Sequence, residues 1–170
     1  MKTLFLALLQ LSLALPCTLL AHTLEIDAIA LGRLGTGLSP EGWAVTNVSN
    51  YADSYSSALR LNLKASSIHS PVFADAIVGV ELEVISSNTN DRRLVVAPLA
   101  KGRARDDLKV RCAYSPTKNR FLAQTFAWPR SACIDALAFA LEGGGSTGWG
   151  IRKLVLTLAP RPAPFVLRIK

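Results

Sequence analysis

The sequence contains few of the residues on which metal sites and most catalytic sites depend. It has two histidines, His22 and His69, among 170 residues, and its three cysteines form no CxxC pair. Structural zinc sites need several closely spaced Cys or His ligands, and a Ser–His–Asp triad needs a histidine beside a nucleophile. His69 lies between Ile68 and Ser70 with no Asp or Cys pattern around it. The sequence therefore disfavours zinc chemistry and serine-hydrolase chemistry.

Longer catalytic motifs are missing as well. Residues 144–148 (GGSTG) match the letters G-x-S-x-G, but a predicted strand follows them and not a helix, so they do not form a nucleophile elbow. The glycine run at 143–145 follows a predicted strand but opens no helix that could bind phosphate. We therefore predict that the protein is not an enzyme and that it needs no cofactor.

Two pairs of acidic residues are the remaining candidates for chemistry. Glu25 and Asp27 match the first two acids of the E-x-D-x-x-E motif of laminarinase-like sandwich hydrolases, but Ala30 stands in place of the third acid. Glu81 and Glu83 are two residues apart on a predicted strand, so they point the same way and could act as an acid–base pair or as calcium ligands. We interpret both pairs as the solvent faces of strands; calcium binding stays open but is not predicted.

Long apolar runs occur only near the N-terminus. Residues 4–15 are rich in Leu and Ala, follow a basic residue, and precede Pro16 and a small-residue site that ends at Ala21. This three-part pattern is typical of a secretory signal peptide, and the run is short for a membrane span. We predict a signal peptide at residues 1–21, no transmembrane segment after its cleavage, and a secreted or extracytoplasmic location (periplasm or cell surface). The alternatives are an uncleaved anchor and a lipidated Cys17.

Two cysteines, Cys112 and Cys133, remain in the chain after that segment. In an exported protein such a pair is a candidate disulfide, which would close a loop of about 20 residues and stabilise the fold by roughly 3 kcal/mol. The alternative is two free buried thiols that pack as small hydrophobic side chains. We predict the disulfide.

The rest of the chain alternates between apolar and polar residues with a period of two, and turn residues interrupt the runs. No segment has a convincing long helical period, and the Ala- and Leu-rich segment 134–141 also favours a strand because its flanks alternate. Strands are predicted at 24–29, 43–48, 58–64, 77–85, 93–99, 108–114, 122–128, 133–141 and 151–158. This spacing predicts an all-β domain at residues 22–158, built as a two-sheet antiparallel β-sandwich.

Two stretches resemble parts of known extracellular modules. Residues 67–73 (SIHSPVF), followed by the strand at 77–85, resemble an x-L-x-S-P-x-F strand that precedes a long buried strand. Residues 144–156 (GGSTGWGIRKLVL) resemble a closing G-x-W-G-I-D-x-I-x-V strand, with Arg152 in place of the usual acid. The family is the broad galactose-binding-like, MAM-like and discoidin-like group of β-sandwiches. The resemblance implies a jelly-roll fold and adhesion or carbohydrate binding, without any calcium or partner role tied to the missing acid.

Aromatic side chains are the best candidates for a ligand site. An exposed aromatic ring can stack on the C–H face of a sugar at little cost in conformational entropy. Tyr51 and Tyr55 lie in the polar loop sequence NYADSYS, and Trp149 lies in a glycine-rich stretch that could present it. We predict these three residues as ligand contacts, with a core position as the alternative for Trp149.

Basic residues exceed acidic residues, with 19 Lys and Arg against 12 Asp and Glu. Arg92, Arg93, Arg103 and Arg105 form the centre of a candidate basic patch for an acidic polysaccharide, a nucleic acid or an anionic membrane. Nucleic acid is disfavoured because few aromatic residues are interleaved with these charges. The alternative is a solvated surface that keeps the protein soluble.

The final segment, 159–170, begins as a Pro-rich spacer and alternates again from Phe165, so it could add a terminal strand. From all these features we predict a secreted, non-catalytic binding or adhesion module whose partner is a carbohydrate or a cell-surface protein. The alternatives are a structural or assembly component of an exported complex and, third, a glycan-active enzyme.

Overall fold

Strands dominate the structure. A computed structural model describes residues 20–50, 58–87, 92–115 and 120–161. The strands are β1 (His22–Ile26), β2 (Gly37–Leu38), β3 (Ala44–Thr46), β4 (Val48–Asn50), β5 (Leu59–Leu61), β6 (Ser67–His69), β7 (Ala76–Ser86), β8 (Arg93–Ala100), β9 (Arg103–Ala104), β10 (Val110–Arg111), β11 (Leu122–Ala127), β12 (Ala136–Glu142) and β13 (Trp149–Ala159).

The strands form two antiparallel sheets that enclose one hydrophobic core. Over the described ranges the first sheet has six strands, in the order β11-β7-β13-β5-β4, with β1 also paired to β13. β5 and β1 share one edge of β13: β5 pairs with its first three residues, and β1 pairs with residues 154–158. The second sheet has the order β10-β8-β12-β6-β3-β2, with β9 paired to β8. The predicted two-sheet antiparallel sandwich is confirmed.

The core follows from the period-two alternation of the long strands. On β7, Val80, Leu82 and Val84 are buried, whereas the glutamates between them are partly exposed. On β12, Leu137 and Phe139 are buried in the same way and face the core from the second sheet. The prediction that the Ala- and Leu-rich segment forms a strand is therefore confirmed, because burial alternates along it with the period of a strand.

One short helix, α1 (Ala28–Leu34), replaces the end of the strand predicted at 24–29. The backbone leaves β1 at Asp27, whose side-chain Oδ1 accepts a hydrogen bond from the Ala30 amide and caps the helix. A seven-residue helix that buries Ala28, Leu31 and Gly32 is too short to give a clear helical period in the sequence. Within the described ranges, no helix is long and apolar enough to cross a membrane.

The strand predicted at 43–48 is divided between the two sheets. β3 belongs to the second sheet and β4 to the first, and the chain crosses over at Asn47. Asn47 has a positive φ of 50°, and its amide donates a hydrogen bond to Thr36 Oγ1. Asparagine tolerates this left-handed conformation better than most residues, so the chain can turn sharply between the sheets without a glycine.

The predicted disulfide between Cys112 and Cys133 is not formed, and both cysteines are free thiols. The Cys112 amide donates to the Leu94 carbonyl near the start of β8, whereas the Asp135 amide donates to the Leu99 carbonyl near its end. Five residues of extended strand span about 16 Å. Disulfide-bonded cysteines have Cα atoms within about 7 Å of each other. Of the second interpretation, two free buried thiols, the structure confirms that both thiols are free, but only Cys112 is buried and Cys133 is partly exposed.

We expect a thiolate-directed reagent at pH 8 to label Cys133 in the folded protein and to leave Cys112 unmodified. Burial raises the pKa of the Cys112 thiol to about 12. Only about one in 10,000 such thiols is ionised at pH 8, and the thiolate is the reactive form. Peptide mass spectrometry after native and denatured labelling measures both sites. A Cys112–Cys133 cross-linked peptide under non-reducing conditions would contradict the structure.

Candidate functional site

The solvent-facing side of the first sheet presents a floor of small side chains. Gly79 of β7 lies between Thr157 of β13 and Ala127 of β11. In the neighbouring row, Glu81 of β7 lies between Val155 of β13 and Thr125 of β11. A Cβ atom at Gly79 would already touch the Thr157 side chain at 3.5 Å. We call this surface the open face; its residues are Gly79, Glu81, Glu83, Ala123, Thr125, Ala127, Arg152, Lys153, Val155 and Thr157.

Two ion pairs stand on the open face, at the register shift in β13. Lys153 Nζ lies 2.7 Å from Glu81 Oε1, and Arg152 Nη2 lies 2.7 Å from Glu83 Oε2. The Arg152 guanidinium also lies over the Phe121 ring, 4.2 Å from its centroid. All four charged side chains are partly exposed, between 29% and 47%. The face therefore carries fixed charges of both signs that remain within reach of a ligand.

The open face carries no excess of positive charge. The hydrogen bond that Lys153 donates to Glu81 raises the lysine pKa, so the ammonium stays protonated at neutral pH. The two carboxylates and two cations of the ion pairs cancel, and Glu25, which is level with Val155 on the neighbouring β1, adds a further negative charge near Lys153. Across the described part of the chain, no group of three or more His, Cys, Asp or Glu side chains is placed to hold a metal ion. The arrangement suits hydrogen bonding to a neutral polar ligand.

Sequence reasoning identified the two glutamates as sharing a face but missed their partners. The structure shows that Arg152, which replaces the acid of the closing motif, is paired with Glu83 on the neighbouring strand. A register shift between Ile151 and Lys153 brings both consecutive basic residues beside β7. Arg152 and Glu83 are 69 residues apart, so no local sequence pattern links them. The only sequence signal of the pair was that Arg152 replaces the acid of the closing motif.

The predicted ligand residues Tyr51 and Tyr55 lie outside the described residues. The two ends of their loop are described: Asn50 pairs with Leu59, which in turn pairs with Ile151 of β13. Leu59 therefore lies beside Ile151, the residue that precedes Arg152, and Asn50 lies one strand further away. This places the anchoring points of the loop at the end of the open face that carries the Arg152–Glu83 pair.

Trp149 is a core residue, which corrects its assignment as a ligand contact. Its side chain is fully buried, its Nε1 donates to the Arg92 carbonyl at 2.9 Å, and its ring stacks on Tyr114 at 5.6 Å. β13 begins at Trp149, and the alternation of the strand turns this residue towards the core. Trp43 and Trp128 are also buried, at 2% and 6% exposure.

The four arginines of the predicted basic patch are not brought together. Arg92 and Arg93 lie at the start of β8, whereas Arg103 on β9 pairs with Ala100 at its end. An eight-residue strand spans about 25 Å, so the two arginine pairs are separated by the length of β8. These residues are close together in the sequence, but β8 separates them because Arg92 and Arg93 precede most of its length and Arg103 and Arg105 follow it.

Neighbouring side chains further reduce the free positive charge that these arginines present. Arg105 donates two hydrogen bonds to the Asp107 carboxylate, at 2.9 and 2.7 Å, and this contact lowers the Asp107 pKa. Arg93 lies over the Tyr114 ring at 4.7 Å. Paired guanidinium groups of this kind offer less to an acidic polymer than a cluster of free cations would.

A cleft lies at the edge of the sandwich, between β1, α1 and the loops of the second sheet. This cleft has a volume of about 510 Å³ and is mostly apolar. Glu25, Asp27 and Glu41 contribute acidic groups to its lining. The remaining lining residues are Leu24, Ile26, Ala30, Leu31, Leu34, Ser39, Pro40, Trp43, Pro71 and Phe73.

The architecture is similar to that of solved carbohydrate-binding modules. The xylan-binding module CBM15 matches with a TM-score of 0.51 and 14% identity, over 83% of this chain and 99% of that module. A variant of a family 29 carbohydrate-binding module matches with a TM-score of 0.51 and 16% identity, over 86% and 99% of the two chains. A family 29 module complexed with mannohexaose matches with a TM-score of 0.50 and 15% identity, over 81% of this chain and 92% of that module.

No protein-family model matches the chain, and no curated protein sequence matches it. At such low identities the structural likeness establishes the fold, which is a jelly-roll β-sandwich as the sequence resemblance implied. The likeness is to carbohydrate-binding modules; closer kinship with MAM-like or discoidin-like modules stays a prediction. Function has to be argued from the surfaces of this chain.

Proposed function

We propose that this protein is an exported, non-catalytic carbohydrate-binding module that holds a neutral glycan chain across the open face. The observation that carries the proposal is the pair of ion pairs, Glu81–Lys153 and Glu83–Arg152, standing beside a floor of small side chains. The likeness of the fold to modules that bind xylan and mannohexaose supports it.

The ion pairs provide hydrogen-bonding groups that are already oriented. Glu81 contacts its lysine through Oε1 and Glu83 contacts its arginine through Oε2. A carboxylate has about four acceptor sites, so both retain capacity for sugar hydroxyls. Hydrogen bonds to charged groups contribute about 1.5–3 kcal/mol each. Because each side chain is held by its partner, little additional conformational entropy is lost when a ligand binds.

The small floor allows a sugar ring to approach the backbone of the sheet. Gly79, Ala127 and Thr157 project little above it, whereas large side chains at these positions would hold a ligand away from the charged groups. Tyr51 and Tyr55 would complete the site by stacking on a ring at the end of the face where their loop is anchored. Because the face carries no excess of positive charge, it favours a neutral glycan over an acidic one.

The test is retention of the full chain on xylan, mannan and cellulose, with an acidic polysaccharide for comparison, at low and high salt. We expect retention on at least one neutral glycan that persists at high salt, because screening affects polar contacts to a neutral ligand little. Retention only on the acidic polymer, lost in salt, would contradict the proposal. Absence of retention on every polymer would also contradict it and would favour the assembly role.

A matched pair of variants tests the location of the site. Thr125→Arg places a long cation on the open face, where it covers the floor and competes for Glu81, and we expect at least a roughly 10-fold loss of affinity. Thr46→Arg introduces the same change at an exposed position on β3 of the other sheet and should leave affinity within about twofold. Equal effects of the two variants would exclude the open face.

The loop tyrosines are tested separately. The double variant Tyr51→Ala with Tyr55→Ala should lose roughly 10-fold or more in affinity for the same glycan, since a ring covered by a sugar loses apolar area to solvent and full burial of an apolar side chain is worth about 1.5–3 kcal/mol. Its thermal unfolding should match that of the unsubstituted protein, which separates a lost contact from a lost fold. Unchanged affinity would remove these tyrosines from the site while leaving the open face to be judged by Thr125→Arg.

A further inference from the structure

The apolar cleft between β1, α1 and the loops of the second sheet has no part in the proposed glycan site. Its volume of about 510 Å³ falls within the range of about 300–1,000 Å³ that is typical of binding sites for small molecules. The buried residues Leu31 and Trp43 and the partly buried Phe73 contribute to its lining. A molecule that fills the cleft would therefore be stabilised mainly by the burial of apolar surface.

Exposed apolar side chains are concentrated around this cleft. Leu24 and Leu34 belong to its lining and are exposed. Leu38 and Val72 are exposed as well, and each is a direct sequence neighbour of lining residues. These are four of the six large hydrophobic residues that are exposed in the described ranges. Such a concentration of exposed apolar surface is typical of a binding site.

The acidic residues that lack a basic partner also lie at this cleft. Glu25, Asp27 and Glu41 belong to the lining, which includes no Lys, Arg or His among the described residues. Every other acidic residue in the described ranges lies within 4.0 Å of a Lys, Arg or His nitrogen. The whole chain has a formal net charge of +7, so this excess of negative charge is local to the cleft.

Two of the three carboxylates are free to serve a ligand in the cleft. Glu25 also acts on the open face, where its charge lies near Lys153. Asp27 accepts a hydrogen bond from the Ala30 amide through Oδ1, which leaves Oδ2 for another donor. Glu41 is exposed, and within the described ranges it forms no ion pair. The carboxylates of Glu41 and Asp27 are therefore the groups that a cation in the cleft would meet.

We propose that this cleft binds a small amphiphilic cation, which is an apolar molecule that carries an ammonium group. The apolar body lies against Leu31, Trp43 and Phe73, and the ammonium group donates hydrogen bonds to Glu41 and Asp27. Hydrogen bonds between two charged groups are stronger than those between neutral groups. The proposal is independent of glycan binding, because no residue of the open face lines the cleft.

Titration calorimetry of the full chain with three probes tests the proposal. The probes are 4-phenylbutylammonium, 4-phenylbutanol and 4-phenylbutanoate, which share an apolar body and differ in the charge of the head group. We expect the ammonium to bind at least roughly 10-fold more tightly than the alcohol, and the carboxylate to bind most weakly. High salt should reduce the advantage of the ammonium. Equal binding of the three probes, or no binding of the ammonium, would overturn the proposal.

A pair of variants at Ala30 places opposite charges in the cleft. Ala30 lines the cleft and is exposed on α1, so a longer side chain can be accommodated there. Ala30→Lys should weaken binding of the ammonium at least roughly 10-fold, whereas Ala30→Glu should maintain or strengthen it. Lysine and glutamate have similar helix propensities, so thermal unfolding of the two variants should agree. Equal effects of the two variants on binding would contradict the proposal.

A second pair of variants separates a local carboxylate from the net charge of the protein. Glu41→Gln removes a charge from the cleft and should weaken binding of the ammonium at least roughly fivefold. Glu142→Gln removes the same charge from β12, outside the cleft, and should leave binding within about twofold. If the two variants behave alike, the effect arises from net charge and the assigned site is wrong.

Other occupants of the cleft give different results. A dimer that dissociates when the ammonium is added would show by light scattering that a second copy occupies the cleft, and it would overturn the small-molecule assignment. Binding of the peptide acetyl-Lys-Leu-Val-Leu-Lys-amide without binding of the ammonium would indicate a protein partner and would also overturn it. Thr125→Arg on the open face should leave ammonium binding within about twofold, so the proposal can fail or succeed separately from glycan binding.

Discussion

Replacing Trp149 with alanine is expected to destabilise the protein by about 3–5 kcal/mol, as large-to-small changes of buried aromatic residues do. The side chain is fully buried, so the change leaves a cavity in the core. It also leaves the Arg92 carbonyl without the indole donor and removes the ring that stacks on Tyr114. Domains of this size are stable by about 5–15 kcal/mol, so the variant loses a large part of its stability.

Urea unfolding followed by circular dichroism measures the effect. Trp149→Phe serves as the control, since it keeps an aromatic ring in the core but loses the indole hydrogen bond and part of the side-chain volume; we expect a smaller cost, about 1–3 kcal/mol. A cost below about 1 kcal/mol for Trp149→Ala would be typical of an exposed ring. That outcome would return Trp149 to the surface position that the sequence suggested.

Gly32→Ala is expected to destabilise the protein by about 1–3 kcal/mol, as overpacking does, although alanine normally stabilises a helix by about 1 kcal/mol relative to glycine. Gly32 lies in α1, where the helix approaches β4. A Cβ atom there would lie 1.7 Å from Asn50 Oδ1 and 3.0 Å from the Ser49 carbonyl oxygen. Asn50 would have to move, and its hydrogen bond to the Ile29 carbonyl would be lost.

Two further variants separate overpacking from other causes. Gly144→Ala introduces the same methyl group where no atom lies within 4 Å, and it should change the unfolding free energy by less than about 0.5 kcal/mol. Asn50→Ala combined with Gly32→Ala removes the side chain that clashes, so the double variant should cost less than the sum of the two single changes. Strict additivity would show that the contact between α1 and β4 is looser than described.

The strands with the strongest alternation were predictable from the sequence. Residues 77–85 read as a strand because valine and leucine alternate with Glu81 and Glu83, and β7 covers this segment. Ala- and Leu-rich β12 was also recognisable, because its flanking pattern outweighed its helical composition. Glu81 and Glu83 were correctly placed on one solvent face, since that inference needs only the local period of a strand.

Features that depend on which strands are neighbours were not predictable. The two basic partners of Glu81 and Glu83 are known only once β13 is placed beside β7. The disulfide prediction was wrong for the same reason. The sequence separation of Cys112 and Cys133 allowed a bond, but the two cysteines lie towards opposite ends of β8. The crossover at Asn47 and the capped helix after Asp27 were not predicted, because each depends on a single hydrogen bond and not on a repeating sequence pattern.

The position of β13 has a consequence for how the protein acquires its fold during synthesis. β13 is the last described strand in the sequence, yet it pairs with β1, β5 and β7 and so occupies the middle of the first sheet. A nascent chain cannot complete this sheet until residue 159 has left the ribosome, because the strands on either side of β13 lack their common neighbour. Most contacts are distant in sequence, which also slows folding. The first sheet would therefore be completed only after nearly all of the described chain has been synthesised.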